Sequence, residues 1–252
     1  MNPYHPMAVD LGCGAGGASV GLRRAGFKFV FGIDIERQPE YPHDIGNGFN
    51  FWRTDATTLG SWLRDGEKVE LVWASMPCQA YSWSAKRWHK KYPELIGPVR
   101  KMLLKTGIPF VLENVTGAPI RHDLMLCGCM FGLKVFKRRY FEIHGFQVSQ
   151  PMHPKHTNSV KHGDMVTTAG HGGHGSAKLK DWQNALQIDW IKDKHTLAQA
   201  IPPAYSEYIG RQFIEQNPYL RFLTVMPMRM ITNGIKRSQS KLGEAPPPVD
   251  WL

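Results

Sequence analysis

The alternation of short apolar runs with segments of helical composition constrains the fold of this chain more than any other feature of its sequence. Most of the apolar runs end near glycine or polar residues, which is typical of buried strands in a parallel sheet. The runs occupy residues 8–11, 27–33, 69–73, 108–113 and 140–143, and residues 19–25, 57–63 and 94–104 between them have helical composition or spacing. This order predicts an α/β fold with a doubly wound, mostly parallel sheet and helices on both faces.

Composition narrows the class of protein and its partners. The 252 residues carry 31 Lys+Arg against 21 Asp+Glu, a formal charge of +10, and 42% are hydrophobic, which excludes general disorder. No run of 18 apolar residues is present, residues 1–6 are polar and do not resemble a secretion signal, and four cysteines are too few for a disulfide scaffold. We therefore expect a cytoplasmic protein without a membrane partner, whose basic excess suits nucleic acid.

The composition of the chain changes near residue 146. From there to about residue 180 it is rich in His, Gly, Lys and Thr, with few large apolar residues, so we expect a loop or small insert lying on a surface. The expected division is a main domain of residues 1–145 and 195–220, a small irregular recognition insert or loop region of residues 146–194, and a C-terminal extension of residues 221–252 with a mobile end.

A glycine-rich turn follows the first apolar run. Residues 9–17 read VDLGCGAGG, a strand that runs into a turn opening a helix, where glycine lets the backbone approach a ligand closely. Asp34 follows Gly12 by 22 residues, at the end of the second run, where a carboxylate can accept hydrogen bonds from ribose hydroxyls. Asp55 is placed to reach an adenine amino group or to serve as an ordinary turn aspartate. The turn alone fits either a nicotinamide dinucleotide or S-adenosylmethionine.

Two chemically reactive residues follow consecutive apolar runs. Cys78 lies just after residues 69–73, and Glu113 ends residues 108–113. Because the carboxyl ends of parallel strands share one edge of the sheet, both side chains are expected to face one pocket. A thiol and a carboxyl group together suit covalent catalysis by a nucleophile with a proton donor.

These motifs resemble, in order and spacing, those of the DNA cytosine-5 methyltransferases. The resemblance covers residues 7–145 and 196–213. The matching motifs are Asp10-Leu11-x-x-Gly14-x-Gly16-Gly17, Pro77-Cys78-Gln79, Glu113-Asn114-Val115, the basic Lys137-Arg138-Arg139, and residues 199–204, which read QAIPPA.

The resemblance implies a Rossmann-like, S-adenosylmethionine-dependent methyltransferase that acts as a monomer on DNA in a bacterial or phage-infected cell. The Cys78 thiolate would add to carbon 6 of a flipped-out cytosine while Glu113 hydrogen-bonds or protonates ring nitrogen 3, and carbon 5 would take the methyl group. Arg139 would hold the base carbonyl or a phosphate, with Lys137 beside it. The implied cofactor-binding residues are Asp10, Leu11, Gly12, Gly14, Gly16, Asp34, Ile35, Asp55 and Pro77. The implied nucleic-acid-binding residues are Gln79, Tyr81, Ser82, Lys86, Arg87, Asn114 and Arg138.

The chain departs from the family pattern at three places. Gly12 stands where the family typically has a Phe that packs on the adenine, so Ile35 or the 201–203 turn would have to supply an apolar wall. Val135, Lys137 and Arg139 stand where the family usually has Gln and two Arg, and lysine lacks the planar fork of arginine. The region before the Pro-Pro turn is also short, which predicts a short or loose target sequence.

The remaining histidines and cysteines favour no metal site by their spacing. Cys127 and Cys129 form a Cys-x-Cys pair that is tighter than usual structural sites, and the histidines between residues 153 and 174 are expected in a loop over the nucleic-acid face. The basic and aromatic residues 83–92 fit phosphates and the gap left by a flipped base, or an ordinary solvated loop.

Three other functions are compatible with the sequence. An RNA cytosine-5 methyltransferase would use the same chemistry on a flipped RNA base. A non-catalytic relative would bind nucleic acid without using Cys78. A nicotinamide-dependent oxidoreductase would account for the glycine turn but leave Cys78 and Glu113 unexplained.

Overall fold

A seven-stranded sheet forms the centre of the computed structural model, which describes residues 5–43, 47–62, 68–78, 81, 93–156, 160–168 and 177–224. The strands are β1 (Met7–Leu11), β2 (Phe29–Asp34), β3 (Phe49–Arg53), β4 (Leu71–Ala74), β5 (Phe110–Asn114), β6 (Leu124–Leu126) and β7 (Arg139–His144). Their order across the sheet is β3-β2-β1-β4-β5-β7-β6. The predicted α/β class with a mostly parallel sheet is confirmed.

The direction of the strands indicates at which edge of the sheet a ligand would bind. Strands β1 to β5 pair in parallel, while β7 runs antiparallel to both β5 and β6. The chain order reverses between β1 and β4, so connections leave these strands toward opposite faces. Ligands of open α/β sheets bind at the carboxyl ends of strands at this kind of reversal.

Helices cover both faces of the sheet in the described part of the chain. They are α1 (Gly17–Ala25), α2 (Leu59–Trp62), α3 (Ile96–Thr106), α4 (Leu179–Leu186), α5 (Lys194–Gln199), α6 (Pro203–Glu215) and α7 (Pro218–Thr224). Alternate side chains of the central strands enter two cores, one shared with α1 and α6 and the other with α3. No described helix is both long and apolar enough to cross a membrane.

The close contact between α1 and α6 depends on small residues. A Cβ at Gly21 would lie 2.0 Å from the Ser206 hydroxyl oxygen, and one at Gly210 would lie 2.8 Å from the Ala25 Cβ. The Ser206 hydroxyl donates to the carbonyl of Ala18 at 2.8 Å. This contact fixes the start of α1, and hence the glycine turn, against the C-terminal part of the fold.

The predicted elements differ from the observed ones mainly at their ends. Strand β2 begins at Phe29 rather than residue 27, and the helix predicted at 94–104 is Ile96–Thr106. The helix predicted at 57–63 is a 3₁₀ turn, Ala56–Thr58, followed by the short α2. Strand β6 is missing from the sequence prediction because three residues carry no readable alternation.

The second half of the insert is structured, as expected for the part of the chain after about residue 180. Helices α4 and α5 build a third apolar cluster with Leu133 and Val135, and this cluster includes Ala15 of the glycine turn. The Trp190 indole N–H donates to the Ala15 carbonyl at 2.8 Å. Residues 177–191 therefore pack against the glycine turn. Helix α7 also runs across the expected boundary between residues 220 and 221.

A buried carboxylate joins β7 to α3. Both oxygens of Glu142 accept from the Arg100 guanidinium, Nε at 2.9 Å and Nη2 at 2.7 Å, and the His144 ring Nε2 lies 2.7 Å from Oε1. The backbone N–H of Arg121 donates to Oε2 at 2.8 Å. Burial alone would raise the pKa of Glu142, but these hydrogen bonds lower it to about 2.

We expect Glu142→Gln to lower the free energy of unfolding at neutral pH by about 3 kcal/mol, the value of a pKa depressed from about 4.5 to about 2. A depressed carboxyl pKa stabilises the fold above the unfolded pKa, and this contribution is lost as the pH falls toward 2. The deficit of the variant should therefore shrink between pH 4.5 and 2. Urea unfolding across this range measures it.

The matched control is Glu207→Gln, which removes an exposed pair with Arg211 one helical turn away. We expect a loss of less than about 1 kcal/mol from that variant. Equal losses from the two variants, or a Glu142→Gln deficit that persists at the acid limit, would contradict the proposed stabilisation by the Glu142 charge.

Candidate active site

The glycine turn is held to the end of β2. The N–H groups of Gly12 and Cys13 both point to the Ile33 carbonyl, at 2.8 and 3.1 Å. The N–H of Gly14 donates to Asp34 Oδ2 at 2.9 Å, and Asp34 Oδ1 accepts from the Glu36 N–H at 2.9 Å. A direct hydrogen bond thus joins the glycine turn to Asp34.

Two glycines of the turn need to be glycine for different reasons. Gly12 has φ +67°, and a Cβ there would lie 2.5 Å from the Ser75 carbonyl oxygen, so no side chain fits. This geometry explains why the apolar residue usual in the resembled family is absent. Gly14 has φ +49°, and a Cβ would meet nothing within 4 Å. The open side of the turn therefore lies at Gly14, beside Asp34.

The apolar wall predicted for this pocket is best supplied by Ile35. Its side chain is 59% exposed although it directly follows Asp34 at the end of β2. The alternative, the 201–203 turn, lies behind the glycine loop: Ile201 is buried in the core, and its carbonyl would be 2.4 Å from a Cβ at Gly17. An exposed isoleucine thus lies next to a carboxylate and the open side of the glycine turn.

Asp10 stabilises the glycine turn from the inside of the fold. Its side chain is fully buried, and Oδ2 accepts from the Ser19 hydroxyl at 2.6 Å, which joins β1 to α1. Oδ1 has no hydrogen-bond partner among the described residues. Burial raises the pKa of Asp10 to about 7, and the bond from Ser19 only partly opposes this shift.

Two residues predicted for the cofactor are used by the fold itself. The Leu11 side chain is buried in the core and its carbonyl accepts the Ser75 N–H at 2.9 Å. Asp55 Oδ1 accepts from both the N–H and the hydroxyl of Thr57 at 2.8 Å, which makes it the cap of the 3₁₀ turn. These contacts favour the turn-aspartate reading of Asp55 over an adenine contact.

The segment carrying Cys78 is anchored to the end of β5. The Asn114 side-chain amide donates to the Met76 carbonyl at 2.9 Å, and its oxygen accepts the Val115 N–H at 2.9 Å. Pro77 is exposed, and Cys78 is half-buried beyond the end of β4. Asn114 is itself buried, so in this structure it positions the cysteine loop rather than facing solvent.

Glu113 and Arg139 form a buried ion pair next to this loop. The guanidinium Nε of Arg139 lies 2.9 Å from Glu113 Oε1. Burial raises the pKa of Glu113, although the Arg139 charge opposes the shift. The carboxyl group is therefore more easily protonated than an ordinary glutamate.

Lys137 completes the group of charged residues. It is buried, and its ammonium nitrogen donates to the Thr168 hydroxyl at 3.2 Å and to the Ala198 carbonyl. Burial lowers the pKa of Lys137 well below its usual value, the Arg139 charge adds to this effect, and negative charge on Glu113 or Cys78 opposes it. Lys137 is therefore within electrostatic range of both predicted catalytic groups.

The residues predicted for nucleic acid have different placements. Arg138 is exposed beside the site, but Tyr81 is buried in the core shared with α3. Gln79, Ser82, Lys86, Arg87 and the rest of 83–92 lie outside the described residues. Sequence reasoning missed Thr168 and Tyr205, whose hydroxyls bind the amine and the carbonyl of Lys137. No local motif marks either residue.

The spacing argument against a metal does not hold in three dimensions. Cys127, Cys129, His153 and His156 bring their ligand atoms within 4.8 Å of one another. The Cys-x-Cys spacing is tight along the chain, but His153 and His156 return from a distant segment to complete the group. His162 is described and lies outside the cluster, while His171 and His174 are outside the described residues.

Comparison with known proteins identifies relatives of this chain. Residues 7–122 match the family model for C-5 cytosine-specific DNA methylase. A tRNA (guanine-N(7)-)-methyltransferase of Porphyromonas gingivalis is 28% identical over 159 residues, 55% of this chain and 65% of the relative. The type II methyltransferase M.XorII of Xanthomonas oryzae pv. oryzae is 29% identical over 128 residues, 46% of this chain and 29% of the relative. The chain thus spans less than two thirds of each.

Solved structures also match over part of their length. One is a candidate DNA modification methyltransferase encoded within an E. coli prophage, with a TM-score of 0.42, 18% identity and coverage of 54% of this chain and 45% of that one. The predicted cofactor, S-adenosylmethionine, is confirmed by the family match. The resemblance to the cytosine-5 DNA methyltransferases is therefore confirmed over residues 7–122.

Proposed function

We propose that this protein transfers a methyl group from S-adenosylmethionine to carbon 5 of a flipped-out cytosine in DNA, through a covalent bond to Cys78. The observation that supports it most is the grouping of Glu113, Arg139 and Lys137 beside the anchored Cys78 loop. This group lies at the same edge of the sheet as the glycine turn. A buried proton donor next to a thiol is what activation of a pyrimidine ring requires.

Cys78 forms the covalent bond in the proposed reaction. Its thiolate adds to carbon 6, and the electron pair displaced from the double bond between carbons 5 and 6 moves through the ring to nitrogen 3. Nitrogen 3 takes the proton of Glu113, and the resulting enamine makes carbon 5 nucleophilic. When bound, S-adenosylmethionine supplies the electrophilic methyl group that carbon 5 accepts. Loss of the carbon-5 proton to solvent then breaks the carbon–sulfur bond, restores the double bond between carbons 5 and 6, and returns the nitrogen-3 proton to Glu113.

Charge at the site supports each of these roles. Burial raises the pKa of Glu113, which favours the protonated form that nitrogen 3 needs. Arg139 lies beside the carboxyl group, and its guanidinium suits the carbonyl oxygen of the base. Negative charge on Cys78 favours the charged form of Lys137, which places this amine within electrostatic range of the nucleophile.

The experiment is to incubate the purified protein with S-adenosylmethionine and unmethylated double-stranded DNA, digest the product to nucleosides, and measure 5-methylcytosine by mass spectrometry. Separate reactions contain single-stranded DNA and RNA, because one relative is a tRNA methyltransferase. We expect 5-methylcytosine from DNA with the intact chain and none with Cys78→Ala. Product from RNA alone would replace DNA by RNA as the substrate.

The other functions give different results in the same experiment. Cofactor binding without methylated product from any nucleic acid would support a non-catalytic relative. Binding of a nicotinamide dinucleotide without any response to S-adenosylmethionine would support an oxidoreductase. Either outcome would refute the proposed reaction.

A further inference from the structure

The Cys127, Cys129, His153 and His156 cluster lies apart from the groups used in the proposed reaction. Cys127 follows β6 directly and is fully buried, and Cys129 is half-buried in the 3₁₀ turn Gly128–Phe131. The two histidines come from the extended segment after β7, and both present Nε2 to the sulfur atoms. Two thiols and two imidazoles from separate segments thus converge on one point.

Four of the distances between these atoms are close to the edges of a zinc tetrahedron. The two sulfur atoms are 3.3 Å apart, and Cys129 Sγ lies 3.6 Å from His153 Nε2 and 3.3 Å from His156 Nε2. Cys127 Sγ lies 3.7 Å from His156 Nε2. Zinc bonds in tetrahedral geometry place two sulfur atoms about 3.8 Å apart and a sulfur and a nitrogen about 3.6 Å apart. The sulfur–nitrogen distances therefore fit, and the two sulfur atoms need to separate by about 0.5 Å when zinc binds.

The surrounding residues hold the four ligands in place. A Cβ at Gly128 would lie 2.1 Å from the Val135 carbonyl oxygen, so only glycine between the cysteines lets this turn pack closely. The Met130 N–H donates to the Cys127 carbonyl at 2.9 Å, and the Cys127 N–H donates to Met130 Sδ at 3.3 Å, so both residues close the turn that carries the two sulfur atoms. The His156 ring stacks on Phe136, with centroids 4.0 Å apart, which fixes the orientation of its Nε2.

We propose that Cys127, Cys129, His153 and His156 bind one structural zinc ion. Two thiolates and two neutral imidazoles balance the charge of Zn²⁺, and binding releases the two thiol protons. Four protein ligands leave no open position for a substrate, so the ion stabilises structure instead of catalysing a reaction. Through Phe136, it would tie the start of the insert to the segment leading into Lys137 and Arg139.

The test measures metal in the full-length protein purified under reducing conditions. We expect one zinc ion per chain by inductively coupled plasma mass spectrometry, and less than about 0.1 per chain in Cys129→Ser and His156→Ala. The matched control is His162→Ala, an exposed histidine of the same insert outside the cluster, which should retain the full zinc content. Removal of zinc by a chelator should lower the midpoint of thermal unfolding of the wild type.

Cobalt substitution keeps the proposal testable if a variant fails to fold. We expect the wild-type protein loaded with Co²⁺ to show thiolate charge-transfer absorption and the intense visible bands of a tetrahedral site. His156→Cys should keep the metal and increase the charge-transfer band through a third thiolate.

Three results would overturn the zinc site. The first is wild-type protein that has neither stoichiometric zinc nor tetrahedral cobalt bands. The second is full zinc content in both Cys129→Ser and His156→Ala. The third is a wild-type mass two hydrogens lower than expected, which would show a disulfide between Cys127 and Cys129 under the reducing conditions.

Discussion

Replacement of Cys78 by alanine is expected to reduce cytosine methylation by about 10⁴-fold or more while leaving the affinity for S-adenosylmethionine nearly unchanged. The thiol is needed for the covalent step, and no other thiol in the described residues is placed for it. Cys13 is buried in the glycine turn, and Cys127 and Cys129 belong to the metal-type cluster. The residues that fit the cofactor, Gly14 and Asp34, do not depend on Cys78 for their position.

Two measurements separate catalysis from binding in this variant. Turnover is followed by methyl incorporation into DNA, and cofactor affinity by isothermal titration calorimetry. DNA that contains 5-fluorocytosine should trap a denaturant-resistant complex with the wild type, since fluorine at carbon 5 blocks the elimination, and should trap none with Cys78→Ala. Turnover within tenfold of the wild type, or a parallel loss of cofactor affinity, would rule out the role assigned to Cys78.

The positions of the main catalytic candidates follow from strand order, which the sequence reveals. Short apolar runs ending at Leu11, near Cys78 and at Glu113 predict that these points share the carboxyl edge of a parallel sheet. The structure has Asp34 bonded to Gly14 and Glu113 paired with Arg139. The pattern predicts that Asp34 and Glu113 stand at the ends of their strands, whereas the bond to Gly14 and the pair with Arg139 are seen only in the structure.

The direction in which a side chain points is harder to predict than its position along the chain. Glu113 and Asn114 are neighbours in β5, so they point to opposite faces of the sheet, and only contacts show that Asn114 binds the Met76 carbonyl. Tyr81 enters a core built by residues distant in sequence. Asp55 caps a turn because of the local backbone geometry at residues 55–58. Burial of Lys137 likewise depends on Thr168 and Ala198.

The cysteine and histidine cluster illustrates a second limit of sequence reasoning. Sequence motifs for zinc assume ligands at regular local spacing. Here Cys127 follows β6 and His153 follows β7, and the antiparallel pairing of these two strands is part of the path that brings the two residues together. Only the tertiary path of the chain, with glycine between the cysteines and Phe136 behind His156, makes the spacing compatible with a tetrahedron.

Glu113→Gln is expected to reduce turnover by about 10²- to 10⁴-fold, the usual contribution of a general acid. Glutamine has the same shape and can donate a hydrogen bond to ring nitrogen 3, but it cannot deliver a proton. Burial raises the pKa of Glu113, while Arg139 and Lys137 oppose the shift, so the wild-type carboxyl group is active when protonated. Its contribution is then lost as the pH rises through that pKa.

The pH profile therefore distinguishes proton transfer from simple positioning. We expect kcat/KM of the wild type to decrease as the pH rises, in part because Glu113 loses its proton. In Glu113→Gln, the part of this alkaline decrease that is caused by the carboxyl group should be absent. Glu70→Gln is the matched control, since burial also raises the pKa of Glu70, to about 7, yet Glu70 bonds the Met7 N–H at the amino edge of the sheet. That variant should keep both the wild-type rate and the wild-type profile. If Glu113→Gln instead retains the full alkaline limb with a rate near that of the wild type, Glu113 is a structural partner of Arg139 and the proton for nitrogen 3 comes from elsewhere.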